Sequence, residues 1–286
     1  MRGVLFVVPD IMAGGWVGGK TKKRGGRMTT IRARLPDTIG ALKIEVMADL
    51  HIGDAHCDLP LIRERLKSVQ EEPDTALILN GDILNNATKT SVSDCYSEVL
   101  PPMEQIQRAV ELFEPVKDRI LAVTTGNHER RTYNKEGIDL MEVFARQMGL
   151  YDRFAPGAAL LFVSFGRCSR RKSDGRPMTY SLYINHGSGG GRKEGAKAIR
   201  LADMASIVDA DVYIHSHTHL PMVMKQGFYR TCEANRSVAP VSKLFVNTAA
   251  ALDYGGYGEI QEYKPTSKDT PVIYLDGHKR GMTARL

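Results

Sequence analysis

The sequence predicts an α/β protein built as a layered sandwich of mixed β-sheets and helices. Three observations indicate this fold. In the first half of the chain, apolar runs such as Lys43–Ala48 and Thr75–Leu79 alternate with segments of helical apolar spacing. In the second half, most of the apolar runs are short and strand-like. Several runs end in a polar residue, which is typical of ligand sites at the carboxyl ends of strands in α/β sheets.

The elements are expected in a defined order. Apolar residues recur at helical spacing in Leu59–Gln70, and Pro101 and Pro102 suit the first turn of a second helix. The predicted helices are Leu59–Gln70, Met103–Phe113, Ile138–Met148 and Lys193–Ser206. The predicted strands are Lys43–Ala48, Thr75–Leu79, Arg119–Thr124, Ala158–Phe165, Met178–Asn185 and Ala210–Ile214. Shorter β segments are expected near Met222–Lys225, Phe228–Cys232, Leu244–Val246 and Val272–Leu275.

The chain is expected to consist of a flexible basic segment, residues 1–27, and one domain, residues 28–286. The net charge is +6, and the first 27 residues hold six basic side chains against one acid. The remainder is therefore nearly neutral, so the net charge resides mainly in the tail. Nucleic acid is a candidate partner for this tail, and a solvated leader is the alternative.

Cysteine usage and hydropathy together predict a cytoplasmic protein. The four cysteines lie far apart and form no Cys-x-x-Cys pair, which indicates neither a disulfide framework nor a thiolate zinc site. No apolar run approaches the roughly 20 residues that span a bilayer. The basic cluster also follows the first apolar run, whereas a signal peptide has its charges before that run. We therefore expect reduced thiols and no membrane partner.

The segment Ile214–Pro221 contains three histidines spaced two residues apart. In an extended segment, such residues project to the same side, and imidazole is the commonest metal ligand. Polar residues also end other predicted strands, so we expect metal ligands to meet at this edge of the sheets. The five polar segments are Asp49-Leu-His51, Gly81-Asp82, Gly126-Asn-His-Glu129, His186-Gly187 and His217-Thr-His219.

These five segments, in this order, resemble the signature of the calcineurin-like metallophosphoesterase superfamily. That signature is D-x-H, G-D, G-N-H followed by D or E, H, and G-H-x-H, and the resemblance extends from Asp49 to His219. Ser216 stands where the last block has glycine, and we expect a slightly altered turn with the site intact. The resemblance implies a metallophosphoesterase-type layered αββα sandwich with two mixed β-sheets, and hydrolysis of phosphate esters.

The resemblance also implies two divalent metal ions. The residues that would bind the first ion are Asp49, His51, Asp82 and His219. The residues that would bind the second ion are Asp82, Asn127, His186 and His217, so that Asp82 bridges the pair. Two such ions, roughly 3.5–4 Å apart, clamp a phosphoryl group and lower the pKa of a water between them. Nitrogen and oxygen ligands without thiolate suit Mn, Fe, Zn or Ni, and we name manganese as the assay metal.

By the same resemblance, His128 lies outside the ligand set. It would face the leaving-group oxygen and act as the general acid, and Glu129 would hold the ring in its orientation. Asn127 would also contact the substrate and help to balance charge on its phosphoryl oxygens. One of the two following arginines, assigned here as Arg130, would bind a substrate phosphate through its guanidinium, with a solvated loop position as the alternative.

Other motifs compete with this assignment. Asp54-Ala-His56 repeats the D-x-H spacing, but only Asp49 directly ends an apolar run, so His56 is interpreted as a surface-loop residue. His215 repeats the spacing of the histidine pair that follows it and is interpreted as a hydrogen-bonded residue at a strand end. The basic loop Arg167–Arg176 lacks interleaved aromatic residues, so it is interpreted as solvated rather than as a nucleic-acid site.

The predicted function is a dinuclear metal-dependent phosphoesterase, with a phosphodiesterase or nuclease as the first choice. The polar loop Asn85–Ser93 and the basic loop would border a cleft that is open to extended substrates. A phosphomonoesterase acting on a small metabolite or a phosphoprotein is the alternative. A metal-free scaffold of the same fold is a third hypothesis, which the filled ligand positions disfavour.

Overall fold

The computed structural model describes residues 28–91, 94–168, 175–189 and 191–286. The predicted basic segment, residues 1–27, and the centre of the basic loop, residues 169–174, lie outside the described residues. The strands are β1 (Thr29–Arg34), β2 (Ala41–Met47), β3 (Thr75–Asn80), β4 (Ile120–Thr124), β5 (Phe154–Ala155), β6 (Ala159–Phe165), β7 (Met178–Ile184), β8 (Val212–His215), β9 (Met222–Cys232), β10 (Ser237–Asn247), β11 (Val272–Asp276) and β12 (Met282–Arg285). The α-helices are α1 (Leu59–Glu71), α2 (Pro102–Phe113), α3 (Asn127–Glu136), α4 (Leu140–Gln147), α5 (Glu194–Asp203) and α6 (Gly256–Ile260).

The strands form two six-stranded sheets, and both sheets are mixed. The first has the order β1-β6-β7-β8-β10-β9, and the second has the order β12-β11-β2-β3-β4-β5. In the second sheet, β2, β3, β4 and β5 are parallel neighbours, so their carboxyl ends lie at one edge. In the first sheet, β7, β8 and β10 are parallel as well. The predicted α/β sandwich with two mixed sheets is confirmed.

The main core lies between the sheets because successive strand residues face opposite sides. In β3, Ala76 and Ile78 pack in the core between the sheets, whereas Leu77 and Leu79 pack against the helices. All six residues of β3 are buried, as expected for a central parallel strand covered on both faces. Burying one such side chain contributes about 1.5–3 kcal/mol relative to leaving it exposed.

Helices cover the outer face of each sheet, which gives the αββα layering. Helices α1, α2 and α4 pack on the sheet that contains β3, and Phe113 meets Phe144 edge to face with ring centroids 6.1 Å apart. Helix α5 covers the other sheet, where Leu201 packs with Tyr213 and Phe245. Asp139 caps α4 by accepting hydrogen bonds from the backbone N–H groups of its first turn.

Besides the short elements β5, α6 and β12, which were not predicted, three features differ from the sequence prediction. Helix α3 begins at Asn127 directly after β4 and was not predicted, because its only buried residue is the polar Glu129. Three of the four short β segments expected after residue 221 belong to one continuous hairpin, in which β9 and β10 pair over eleven residues each. The fourth, Val272–Leu275, is found as β11. Strand β1 begins at Thr29, whereas the first strand predicted from the sequence was Lys43–Ala48. None of the helices in the described part of the chain has the length and apolar character needed to span a bilayer.

Candidate metal centre

The five predicted segments meet where strands of the two sheets end, and the backbone there is strained. Eight non-glycine residues of the described chain have a positive φ, a region that side chains rarely adopt. Five of the eight are predicted ligands, namely Asp49 (φ 52°), His51 (48°), Asp82 (50°), His217 (64°) and His219 (56°). Strain of this kind persists only where surrounding structure holds it, and it concentrates at functional sites.

The structure brings the predicted ligands together in overlapping groups whose ligand atoms lie within 4.8 Å of one another. One group contains Asp49, His51 and His219, and a second contains Asp82, His186 and His217. A third group contains the predicted ligands His51 and Asp82 together with His128, the assigned acid. The first two groups each contain three members of one implied ligand set, whereas the third includes His128, which the resemblance places outside the ligands.

Direct contacts connect these groups. Oδ1 of Asp49 lies 3.2 Å from Nε2 of His219, and Oδ2 of Asp49 accepts a hydrogen bond from the backbone N–H of His217. Nε2 of His186 lies 3.2 Å from Oδ2 of Asp82 and 3.1 Å from Oδ1 of Asn127. Asn127, the seventh predicted ligand, thus faces the second group from the start of α3.

The buried carboxylates of the centre favour positively charged groups beside them. Asp49 and Asp82 are 0% and 1% exposed, and their ion-pair partners are histidines. Burial would raise the pKa of Asp82, but the rings of His186 and His128 outweigh it and hold the pKa well below its usual range. Burial opposes charge on His186, but Asp82 and Asp49 outweigh it and raise the pKa to about 10.

The donor set fits divalent cations. Among the described residues, Oδ1 of Asp49 and Nε2 of His51 are buried without a hydrogen bond, although such atoms normally make one. Oδ1 of Asp49 has ion-pair contacts with His219 and His186 instead. Nδ1 of His186 donates to the carbonyl of Asn80 at 2.7 Å, which leaves Nε2 facing two oxygen acceptors. Ligand histidines normally donate their other ring N–H in this way. A cation would satisfy all three groups, and nitrogen and oxygen donors suit Mn, Fe, Zn or Ni, so donor type alone does not select the ion.

His128 lies beside the ligand groups and is held at both ring nitrogens. Its Nδ1 donates to the carbonyl of Asn85 at 2.7 Å, and its Nε2 lies 2.9 Å from a guanidinium nitrogen of Arg131. Nε2 also lies 3.8 Å from Oδ2 of Asp82. Burial lowers the pKa of His128, Asp82 opposes that shift, and the charge of Arg131 adds to it.

Asn85 was not singled out from the sequence as a site residue, yet it contacts two predicted site residues. Its carbonyl accepts from His128, and its side-chain Oδ1 lies 3.3 Å from Nδ1 of His51. Its own amide donates to Glu98 at 3.2 Å. The sequence signal was the position of Asn85, three residues after Asp82 in the same strand-end loop.

The expected role of Glu129 was wrong. Its carboxylate does not hold the ring of His128 but accepts backbone N–H groups from Asp82, Leu84 and Gly126 at 2.9–3.1 Å. Burial and the neighbouring Asp82 raise the pKa of Glu129 to about 7. Glu129 therefore fixes the backbone that carries Asp82 and the turn before α3.

The structure places the two arginines in different surroundings. The guanidinium of Arg130 donates to the carbonyl of Pro156, so it is held on the loop before β6. Arg131 instead reaches the centre, where it contacts His128 and the carbonyl of Asn85. The assignment of Arg130 to substrate binding is therefore replaced, in the proposal below, by Arg131.

The competing histidines and the serine substitution have structural explanations. Nδ1 of His215 lies 2.7 Å from Oδ1 of Asn247, so it is the hydrogen-bonded strand-end residue that was expected. The backbone carbonyl of His56 accepts from the N–H of Asp253, and its ring lies against Gly255. The hydroxyl of Ser216 accepts from Asn80 at 2.8 Å, so the serine joins a buried network instead of merely altering the turn.

The sandwich of two mixed sheets, with carboxylates and imidazoles gathered at its strand ends, is the arrangement of the metallophosphoesterase fold. The sequence matches the calcineurin-like phosphoesterase family over residues 47–221, and the chain belongs to that family. A search of curated proteins gives no match. Family members typically bind two divalent metals, and this chain holds candidate ligands for them.

Several solved structures are similar at low identity. Zn-complexed Vps29 from Entamoeba histolytica is 11% identical, with 85% of this chain and 90% of that chain covered and a TM-score of 0.38. A metallophosphoesterase from Sphaerobacter thermophilus is 12% identical, with coverages of 82% and 84% and a TM-score of 0.37. GAP50, the anchor in the inner membrane complex of Plasmodium, is 10% identical, with coverages of 86% and 84% and a TM-score of 0.42. These similarities are distant, and the family assignment rests on the sequence match.

Proposed function

We propose that this protein hydrolyses phosphodiesters at the candidate metal centre, with a nucleic-acid strand as the substrate class. The observation that carries the proposal is the placement of His128 beside the ligand groups, with Nε2 3.8 Å from Oδ2 of Asp82. The ligand assignments are part of the proposal. Asp49, His51, Asp82 and His219 hold one cation, and Asp82, Asn127, His186 and His217 hold the other.

Two divalent cations at this centre would neutralise phosphoryl charge and make water more acidic. The chain's own residues supply orientation and proton transfer. Asn127 directs Oδ1 towards His186, so its amide nitrogen is free to donate to a phosphoryl oxygen. The guanidinium of Arg131 adds positive charge beside the leaving-group side. Nδ1 of His128 donates to Asn85, so Nε2 is the atom that delivers a proton.

In the proposed reaction, His128 enters with a proton on both ring nitrogens, and the guanidinium of Arg131 turns from Nε2 to the phosphate. Water attacks phosphorus and releases a proton to solvent, the ester P–O bond breaks, and Nε2 of His128 transfers its proton to the departing oxygen. A positioned acid of this kind contributes typically 10²–10⁴-fold to a rate. The contribution depends on the leaving group, because a good leaving group departs without a proton and a nucleoside alkoxide does not. This difference provides a direct test of the role of His128.

The exposure of the centre supports a diester rather than a small monoester. The buried ligands line its floor, whereas Asn127 is exposed and His217 and His219 are half-buried. An exposed rim of this kind would leave room for a substrate that extends past both sides of the scissile phosphate. The free thiols of all four cysteines fit the reducing cytoplasm, which we propose as the location.

The test compares His128→Ala with wild type, both loaded with manganese, on two diesters. On bis-nitrophenyl phosphate, whose leaving group is good, the variant should lose about tenfold in kcat. On a thymidine dinucleotide, whose leaving group is an alkoxide, it should lose about 10²-fold or more. Equal losses on both substrates, or unchanged turnover, would refute the acid role. Metal content serves as the control, since loss of metal would make His128 a ligand instead.

The alternative function is a phosphomonoesterase, and the same centre could serve it. Turnover of nitrophenyl phosphate against bis-nitrophenyl phosphate separates the two functions. The proposal expects kcat/KM to be higher on the diester. A higher kcat/KM on the monoester would assign the chain to the alternative.

A further inference from the structure

Lys197, on α5, contacts the turn that carries two proposed ligands. Its Nζ donates to the backbone carbonyl of Thr218 at 2.9 Å. Thr218 is buried, and in the sequence it lies between His217 and His219. The ammonium of Lys197 therefore lies beside the rim of the centre. This position is not part of the family signature in the sequence, and the proposed reaction does not use it.

The charge of Lys197 is not matched by a carboxylate. Within the described part of the chain, no Asp or Glu oxygen lies within 4.0 Å of its Nζ, whereas the nearby Glu194 pairs with Lys264 at 2.7 Å. Burial lowers the pKa of Lys197, Glu194 opposes the shift and Lys264 adds to it. An ammonium that is half-buried beside a second cation, without a carboxylate partner, would gain from binding an anion.

The backbone after His186 lies against α5. Gly187 and Gly189 have φ of +102° and +103°, which favour glycine. A Cβ on Gly189 would lie 2.6 Å from the guanidinium carbon of Arg200, so Arg200 lies directly against this glycine segment. Lys197 and Arg200 are three residues apart and share one face of α5, which therefore presents two cations towards the segments that carry the proposed ligands.

We propose, on the basis of the proposed function, that Lys197 binds the phosphate next to the scissile one in a nucleic-acid strand. An ammonium has three N–H donors, and the carbonyl of Thr218 occupies one of them. The other two can donate to phosphate oxygens, which are strong acceptors. Lys197 thus determines specificity, since it favours a strand over a diester that has a single phosphate.

The first test is binding, which needs neither metal nor turnover. Fluorescein-labelled oligothymidylate is titrated with wild type, Lys197→Gln, Lys197→Arg and Lys193→Gln in EDTA, and binding is followed by anisotropy. Lys197→Gln should raise Kd about tenfold, the loss of one charge-assisted hydrogen bond. It should also reduce the slope of log Kd against log salt by about 0.7, the value for one single-strand phosphate contact.

Two control variants show whether a change in Kd is specific to the charge of Lys197. Lys193 is exposed at the start of the same helix, so its variant should bind within about twofold of wild type. Lys197→Arg keeps the charge and should restore most of the affinity. A Kd for Lys197→Gln that matches wild type, or a wild type that binds no oligothymidylate, overturns the inference. Equal competition by thymidine bisphosphate and by the strand would make the ligand a small bisphosphate and would also overturn it.

Turnover of bis-nitrophenyl phosphate separates this inference from the proposed function. That substrate has one phosphate, so Lys197→Gln should hydrolyse it at the wild-type rate while its KM for oligothymidylate rises about tenfold. Equal loss on both substrates would indicate a structural role for Lys197 and contradict the inference. A manganese-loaded wild type that hydrolyses neither diester would refute the proposed function, and the binding titration would still decide the role of Lys197.

Discussion

The side-chain amide of Asn80 donates a 2.8 Å hydrogen bond to the hydroxyl of Ser216, and this bond joins the two sheets where β3 and β8 end. Asn80 immediately precedes Gly81-Asp82, and Ser216 immediately precedes His217. The hydroxyl of Thr248 also donates to Ser216, at 2.9 Å, and that of Thr124 donates to Asn80. Ligands from different sheets are therefore connected by buried polar contacts.

Ser216→Ala should destabilise the protein by about 1–3 kcal/mol, because the buried donors of Asn80 and Thr248 lose their shared acceptor. Urea denaturation of the metal-free protein measures the change. Ser164 provides a matched control, since its hydroxyl pairs with Thr179 at the surface and its replacement by alanine should stay within about 0.5 kcal/mol. Equal stability of the two variants would show that the buried network contributes nothing.

Gly126→Ala should weaken manganese binding at least tenfold. The φ of Gly126 is −91°, so alanine is not strained there, but its Cβ would overlap the carboxylate and backbone N–H of Asp82. Gly195→Ala is the control, because nothing lies within 4 Å of its Cβ and the residue is in α5. There alanine should stabilise the helix by about 0.5–1 kcal/mol. Titration calorimetry measures the manganese affinity of both variants. Unchanged affinity in Gly126→Ala would contradict the close packing of Gly126 against Asp82.

Asn85→Ala should reduce manganese affinity about tenfold through His51 while leaving the acid in place. Its side chain orients the ring of His51, whereas the backbone carbonyl that holds His128 survives the substitution. Loss of such an orienting partner typically costs 10–100-fold in metal affinity or activity. Asn134→Ala, at an exposed position of α3, is the control. If the dependence of kcat on the leaving group changed in Asn85→Ala, the effect would instead lie at His128.

The thiol of Cys57 should resist alkylation at neutral pH. Burial and then the carboxylate of Asp54 raise its pKa to about 12, so less than about one thiol in 10³ is ionised at pH 8. Reaction should accelerate with each pH unit up to that value, whereas the exposed Cys232 should already react at pH 8. Mass spectrometry after iodoacetamide treatment measures both rates. Comparable rates at pH 8 would contradict this environment for Cys57.

Much of the fold could be predicted because apolar runs and polar strand ends are local signals. The segments around Asp49, Asp82 and His186 each follow a buried run, and the parallel strands of the two sheets bring them to the same end of the sandwich. The β9–β10 hairpin could not be delimited, since its distal half is exposed and has no apolar pattern. Its length depends on backbone pairing between the strands rather than on burial.

The positioning residues were harder to predict than the ligand candidates. Whether Arg130 or Arg131 faces the centre depends on the rotation of α3 about its axis. The sequence of α3 has no apolar stripe facing the core, so this rotation could not be predicted. Asn85 and Asn80 act through contacts with residues 34 and 136 positions away, respectively. Such contacts depend on the loop path in three dimensions. The role of Glu129 was missed for the same reason, because backbone N–H groups have no sequence signature.

The central claim is that this centre holds two divalent cations with Asp82 between them, and metal stoichiometry tests it most directly. Wild type, Asp82→Asn and Asp54→Asn are saturated with manganese, separated from free metal and analysed by plasma mass spectrometry. We expect two manganese ions per chain in wild type and in Asp54→Asn, which alters the competing D-x-H segment. Asp82→Asn, folded by circular dichroism, should retain at most one. One ion or none in wild type, or two in Asp82→Asn, would contradict the account.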